Sequence, residues 1–467
     1  MRYFLDPFGC VKNQVDAENM MAHLNKEGWE SVSEAEQADL IIINSCGFIE
    51  SAKRESINAV FEWRKLYPGK KILLAGCLAQ RYAKDLSESM PEVDRFFGVE
   101  NLAQITQIAT SLVNGKKCAI LSRKAKLSHN ASLPVGERPL LSLPGSAYVK
   151  ISEGCNNRCS YCAIPLIRGD LVSRPIPDIL AECNALLDRG IRELCIIGQD
   201  IGAFGTDTVK TTTAGAEAAA KLPELLKAIS SLKRKKHFWV RLLYIHPDHF
   251  PLQILDLMEK DQRFLPYFDI PFQHSSSKIL TAMNRHGNAE KYLALLETIR
   301  ARLPNSVIRS TFLLGFPGET EEEFAQLLDF QEKANLDWLG CFAYSREEGT
   351  AAYSMKKRVP VKTAEKRKQI IEERQIPITE KNMNRFVNQN LDVLVEEQIA
   401  AGETDADSVS SQDGETIWLG RLYCQAPDID GAAVVVKSDT GKSNPQLGTF
   451  VKCKVISRRG FDLEVCV

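Results

Sequence analysis

The sequence predicts an α/β multidomain chain: an N-terminal parallel α/β domain, a central incomplete (βα)6 barrel and a small C-terminal β-barrel. Three patterns carry this expectation. Short apolar segments alternate with helical ones over roughly the first 120 residues. From about residue 147 the same alternation runs through six strand candidates. The last ~80 residues then hold five short strand candidates, the mark of a small barrel.

In the first domain, residues 1–121, Arg2-Tyr3-Phe4-Leu5 is a strand candidate. The helix after it is expected to be capped by Asp16. Ala17, Met20, Met21 and Leu24 recur at helical spacing, and Gly28 ends it. Ala38 to Asn44, with three consecutive isoleucines, and Lys71 to Ala75 read as buried parallel strands. Residues 122–146 hold Pro134, Pro139, Pro144 and several serines, and read as a linker. The barrel, residues 147–360, is expected to use Ala147–Ile151, Leu194–Ile197, Trp239–Tyr244, Tyr267–Ile270, Ile308–Leu314 and Trp338–Tyr344. Such barrels carry functional groups at the C-terminal ends of their strands. The Thr/Ala-rich stretch 205–220 reads as a surface insertion. Residues 361–382 read as a connecting helix. The last domain, 383–467, has strand candidates at Leu391–Val395, Thr416–Tyr423, Ala432–Lys437, Phe450–Ile456 and Asp462–Val465.

The composition is that of an ordinary soluble protein, 44% hydrophobic and 25% charged. With 59 basic and 60 acidic residues the chain lacks the charge of a dedicated polyanion binder. No run of 18 apolar residues and no signal-peptide core occur, so a cytoplasmic protein with no membrane partner is expected. Thirteen cysteines in such a chain point to metal ligands or catalysis.

Cys155, Cys159 and Cys162 form C-x3-C-x2-C directly after the first barrel strand. Three thiolates on one tight loop can hold three corners of a cubane cluster and leave the fourth iron open. A structural zinc site would need a fourth ligand. No histidine lies between His129 and His237, and the next cysteine, Cys183, falls in a helical segment. Gly198-Gln199-Asp200 ends the second barrel strand and Gly315-Phe316-Pro317-Gly318-Glu319-Thr320 the fifth, both fitting places for a cofactor. Turn and cap chemistry is the competing explanation, and Thr320 with Glu323 makes a capping box.

Cys10, Cys46 and Cys77 share placement rather than a motif: each lies just after a predicted strand. On a parallel sheet such positions share one edge, where ligands bind. Gly9, Gly47 and Gly76 beside them would admit a bulky group. Placement alone leaves buried core cysteines as the commoner explanation. Cys118, Cys183, Cys195, Cys341, Cys424, Cys453 and Cys466 read as core or incidental thiols.

Nearly the whole chain resembles the methylthiotransferase family of radical S-adenosylmethionine enzymes. The resemblance is carried by Gly9-Cys10-Val11-Lys12-Asn13 with Asp16 and Glu18, Asn44-Ser45-Cys46-Gly47-Phe48-Ile49, Gly76-Cys77, the central triad with Tyr161, and Arg168-Gly169-Asp170-Leu171-Val172-Ser173-Arg174-Pro175. Asp269-Ile270-Pro271-Phe272-Gln273-His274, Arg309-Ser310-Thr311-Phe312 and Ala426-Pro427-Asp428-Ile429-Asp430-Gly431, the last like a TRAM barrel, extend it. The resemblance implies two 4Fe-4S clusters, one on Cys155, Cys159 and Cys162 and one on Cys10, Cys46 and Cys77. It implies S-adenosylmethionine as radical source and methyl donor, with Gly198, Gln199, Asp200, Arg309 and Gly315 as candidate contacts.

Within the family, members that modify adenosine in transfer RNA read Gly-Cys-Gln-Met-Asn and Pro-Val-Gln-Ser-Gly-Ser. This chain has Gly9-Cys10-Val11-Lys12-Asn13 and Pro271-Phe272-Gln273-His274-Ser275-Ser276. It looks more like the branch that adds a methylthio group to the β-carbon of an aspartate in the small-subunit ribosomal protein at the decoding centre. That branch implies the ribosomal protein or ribosome as substrate, an electron donor such as flavodoxin or ferredoxin, and a sulfur source. RNA is not expected as the primary contact. From Met383 onward, eight basic residues face thirteen acidic ones, which suits a basic protein partner better than RNA. The alternatives are a transfer-RNA methylthiotransferase and a non-catalytic iron–sulfur RNA-binding or assembly factor.

Overall fold

Strands buried on both faces set the N-terminal architecture, because only helices on each side can cover them. The order is β1 (Arg2–Pro7), α1 (Val11–Lys26), β2 (Glu30–Ser31), β3 (Leu40–Ser45), α2 (Glu50–Leu66), β4 (Lys71–Gly76), α3 (Cys77–Ser89), β5 (Arg95–Phe97) and α4 (Ile105–Val113). In this computed structural model residues 1–116, 137–208, 220–399, 417–437 and 444–467 are described. The parallel sheet runs β2-β1-β3-β4-β5. Leu40 and Ile42 pack with α1 and α4 on one face. Ile41 and Ile43 pack with α2 and α3 on the other. The strand order reverses between β1 and β3, the place where open doubly wound sheets hold ligands.

One local expectation is wrong. Asp16 does not cap α1, which starts at Val11 with Cys10 at its N-cap. Asp16 is buried inside the helix, where its carboxylate meets Lys150 and Arg168 of the next domain. Part of the expected linker is outside the described residues. Its last part is tied down, with buried Arg138 paired to Glu18 and Glu182.

The central elements are β6 (Ser146–Lys150), β7 (Ser152–Glu153), α5 (Ile164–Arg168), β8 (Val172–Ser173), α6 (Ile176–Asp188), β9 (Glu193–Ile197), α7 (Leu222–Ser230), β10 (Trp239–Leu242) and α8 (Gln253–Met258). They continue with β11 (Phe264–Asp269), α9 (Ser277–Ala282), α10 (Ala289–Arg302), β12 (Val307–Leu314), α11 (Glu321–Ala334) and β13 (Trp338–Ala343). Six strands form a sheet in the order β13-β12-β11-β10-β9-β6, parallel throughout. Alternate residues such as Val149, Ile196, Val240, Phe268 and Ile308 face the helices. Most of the stretch expected as an insertion, 209–219, lies outside the described residues.

Helix α12 (Val361–Asn384) leads to β14 (Asn390–Ile399), β15 (Ile417–Arg421), β16 (Ala433–Val436), β17 (Phe450–Arg459) and β18 (Asp462–Cys466), a closed five-stranded barrel. This barrel is no appendage. Tyr148, Cys195, Trp239, Tyr267 and Trp338, on the concave face of the central sheet, share one core with Leu422, Cys424, Ala426 and the barrel interior. Arg241 donates to the Tyr423 carbonyl at 2.9 Å, and the Tyr267 hydroxyl donates to Asp430 at 2.6 Å. Arg421 joins buried Glu193 and Glu396. The charge argument changes accordingly. Glu396 is buried, the Asp430 side chain is 1% exposed, and both are paired. Glu403, Asp405, Asp407, Asp413, Glu415 and Asp439 lie outside the described residues. The acidic sum is therefore not a described surface. No described helix is long and apolar enough to cross a membrane.

Candidate functional site

The three N-terminal cysteines occupy equivalent places. Cys10 is the N-cap of α1 after β1, Cys46 follows β3, and Cys77 opens α3 after β4. β1, β3 and β4 are adjacent, so the three sit on one sheet edge. Their turns are pressed together. Gly9 has φ +92°, and a Cβ there would lie 2.9 Å from the Cys46 Cβ. Asn13 ties the turns to one another. Its amide donates to the carbonyls of Phe8 at 2.6 Å, Ser45 at 3.2 Å and Asn44 at 3.3 Å. Its side-chain oxygen accepts from the Cys77 thiol at 3.7 Å, and its backbone carbonyl accepts from the Asn44 amide at 2.8 Å. Burial pushes the Cys46 thiol up and the Cys77 thiol up to about 12.

The central triad rides a loop framed by the antiparallel pair β7 and β8. The loop is pinned from the opposite side. Asn284 donates to the Asn157 and Arg158 carbonyls, the Ser160 hydroxyl to Ala282, and the Ser160 N–H to Met283. The Arg285 guanidinium lies 3.9 Å from the Cys159 Sγ and donates to the Pro271 carbonyl at 2.6 Å. Arg158 adopts φ +52°, Tyr244 φ +68°, Gln273 φ +67° and Asn284 φ +60°, so four non-glycine residues around the barrel mouth hold left-handed backbone. Burial pushes the Cys155 and Cys162 thiols up to about 12.

The two triads border one junction. Arg168, at the end of the short helix after Cys162, is buried. It donates to Glu153 at 2.8 Å, to Asp16 at 2.8 Å and to the Cys77 Sγ at 3.2 Å. Burial alone would raise the Asp16 carboxyl, but Lys150 and Arg168 hold it below the usual carboxylate range. Across the same junction Arg81 pairs with Glu347 at 2.6 Å, and Cys77, Val99, Ala163 and Ile167 share a small core.

The donor set fits iron–sulfur chemistry: two groups of three thiols, each on tightly packed loops, with an arginine at one sulfur of each. Among the described residues no three His, Cys, Asp or Glu side chains converge on a single ion. A cubane needs no such convergence, since each thiolate binds its own iron.

The candidate cofactor contacts are placed differently from one another. Asp200 lies beside the triad loop, but its carboxylate is filled by Asn157 at 2.9 Å, His249 at 2.7 Å and the N–H groups of Gly202 and His246 at 3.0 Å. It orients neighbours instead of standing free. Gly198 and Gln199 precede it, and a Cβ on Gly198 would meet the Ser152 hydroxyl at 2.8 Å. Arg309 points into the concave face, 3.6 Å from Asp269 and 3.4 Å from Asp430 of the C-terminal barrel. Gly315 is pressed against Ala364 of α12, and its N–H goes to Glu319 at 2.8 Å, which is packing chemistry. The Thr320–Glu323 capping box is present. Buried His274 accepts from the Ser275 and Ser276 N–H groups, and desolvation holds it down at about 3, so it is a neutral turn residue. Arg168, Asn13, Arg285 and Asn157 had no assigned role in the sequence reading. For Arg168, Asn13 and Asn157 the signal was their place inside or beside the cysteine motifs; Arg285, far along the chain, had none.

Three family profiles match in the expected order: one described as uncharacterized protein family UPF0004 over residues 2–98, the radical SAM superfamily over 149–330 and a TRAM domain over 387–467. The ribosomal protein uS12 methylthiotransferase RimO of Treponema denticola is 45% identical across 98% of this chain and 99% of its own. Those of Syntrophomonas wolfei and Thermotoga petrophila are 38% and 34% identical, covering 97% and 99% of both chains. The chain belongs to the RimO family. Among solved structures, the radical S-adenosylmethionine methyltransferase TsrM of Kitasatospora setae superposes with a TM-score of 0.54 at 13% identity, covering 75% of this chain and 73% of that one, a likeness of fold. RimO membership accounts for the order of the three sheets.

Proposed function

We propose that this protein is a radical S-adenosylmethionine methylthiotransferase that adds a methylthio group to the β-carbon of an aspartate in ribosomal protein uS12. One observation carries the reading: Arg168, on the helix just past the central triad, contacts Cys77 of the other triad, so both triads serve one site. When bound, two 4Fe-4S clusters and S-adenosylmethionine supply the sulfur site, the electron, the methyl group and the carbon radical that this unactivated C–H bond requires. Cys155, Cys159 and Cys162 hold the radical-generating cluster; Cys10, Cys46 and Cys77 hold the other. The buried thiols resist ionisation on their own, so the bound iron is what stabilises the thiolates. Arg285 and Arg168 place positive charge beside Cys159 and Cys77. Asp200 fixes Asn157 on the triad loop and His249 opposite it, next to the expected cofactor position. The N-terminal domain closes one end of the open barrel and the C-terminal barrel the other. The reaction draws on a reductant such as flavodoxin or ferredoxin and on a sulfur source, in the cytoplasm where ribosomes work.

The test separates the two triads. With Cys10, Cys46 and Cys77 replaced by alanine, reductive cleavage to 5′-deoxyadenosine should persist while methylthiolation stops. Methylthiolated product from that variant would make the N-terminal cysteines structural and overturn the assignment.

A further inference from the structure

Lys12 is the charged group at the junction that the reading above leaves without a task. It projects from the first turn of α1, two residues after Cys10, and is 7% exposed. Its ammonium lies 3.0 Å from the centroid of the Tyr244 ring. Tyr244, two residues past the end of β10, holds left-handed backbone, a strained state for an aromatic residue, and so presents a fixed face to the cation. The other two cations here, Lys150 and Arg168, are absorbed by Asp16 and Glu153. Among the described residues no carboxylate comes within ion-pair distance of Lys12. The opposite charges that face it are Cys10 on its own helix turn, then Asp269 and Glu153; Asp269 leans 3.6 Å from Arg309 and has one oxygen buried without a partner. A desolvated ammonium held against an aromatic ring with no carboxylate paired to it is costly unless an anion completes the place.

We infer that Lys12 grips the side-chain carboxylate of the aspartate being modified, which makes it a specificity-determining residue; this rests on the functional reading above. That carboxylate is bonded directly to the β-carbon. An ion pair to Lys12 therefore sets the reacting carbon two bonds from the oxygen that Lys12 holds, near Cys10 and Tyr244. The same contact selects an anion over a neutral amide, because a buried ammonium facing an amide stays uncompensated.

The experiment measures equilibrium binding of the anaerobically reconstituted enzyme to purified uS12 and to a version with asparagine in place of the target aspartate. Wild type should bind the aspartate form on the order of 30-fold tighter. Lys12→Met, similar in length and uncharged, should bind the two forms within about threefold, while Lys12→Arg keeps most of the preference. Iron content equal to wild type certifies that the variants are intact. The inference is overturned if K12M keeps the preference, if wild type shows none while methylthiolating uS12, or if both variants lose iron, which would make Lys12 a support for Cys10. Failure of wild type to methylthiolate uS12 is a different result and brings down the functional reading itself.

Discussion

Arg168 shows how single residues hold this site together. One guanidinium, 1% exposed, serves Asp16 of the N-terminal domain, Glu153 of the central one and the sulfur of Cys77. Arg168→Gln leaves Asp16 and Glu153 to share Lys150 alone and should cost less than the about 3–5 kcal/mol of a fully stripped buried pair, read as a shift of the denaturation midpoint. Lysine at this place keeps the charge but loses the fork that reaches three partners. The folded Asp16 carboxyl is held below its ordinary value, so its stabilisation is present above that value and is lost as pH falls through the folded one. Acid melts should therefore show wild type losing its margin over R168Q; parallel curves would show that the pair contributes nothing. Little of this was legible in the sequence. Asp16 looked like a helix cap because local rules see only the neighbouring residues, and Lys150 lies 134 positions away. Lys12 and Asn13 stood out as motif letters, but nothing local tells that one meets the Tyr244 ring and the other joins three turns.

Elements were far easier to read. A strand that ends in Gly-Cys or Ser-Cys and runs into a helix can place its thiol only at the C-terminal edge of a parallel sheet, and β1, β3 and β4 do so side by side. The central triad stood out for a different reason, since its spacing sets three thiols on one tight loop. Reconstituted protein should bind roughly eight irons, the load of two cubanes, and alanine at Cys155, Cys159 and Cys162 should remove about half. Iron analysis with absorption spectra decides this; complete loss in the triple variant would contradict two independent sites. The strand ends of the cofactor half were read as candidate cofactor contacts, with turn chemistry as the competing explanation, and the structure places them in different surroundings. Asp200 orients the triad loop, whereas Gly315 makes room for α12, a helix 46 or more positions away whose approach no local pattern announces.

At the scale of the molecule, the order of three sheets follows from where the hydrophobic period switches between strand and helix. How they pack does not. The half-open central sheet is filled by its neighbours: Asp16 and Lys12 reach it from the N-terminal domain, and Arg421, Asp428 and Asp430 from the C-terminal barrel. A barrel that only docked substrate could be removed without harm to the rest. This one covers Tyr148, Trp239 and Tyr267, so deletion from Met383 onward should leave the central domain insoluble. Burial alone would raise the Glu193 carboxyl; Arg421 and Arg241 outweigh it and hold it at about 2. Its stabilisation is thus present above the ordinary carboxylate value and lost only as pH falls toward 2. Glu193→Gln should cost about 3–5 kcal/mol and expose the segment before β14 to protease at neutral pH. The central claim is that this shared, enclosed junction modifies a protein. Its most direct test offers purified uS12 and isopentenylated transfer RNA together to the reconstituted enzyme and weighs both by mass spectrometry. The account predicts that an aspartate of uS12 gains the mass of a methylthio group less the one hydrogen it replaces, and that the RNA gains none. Gain on the RNA alone would contradict it.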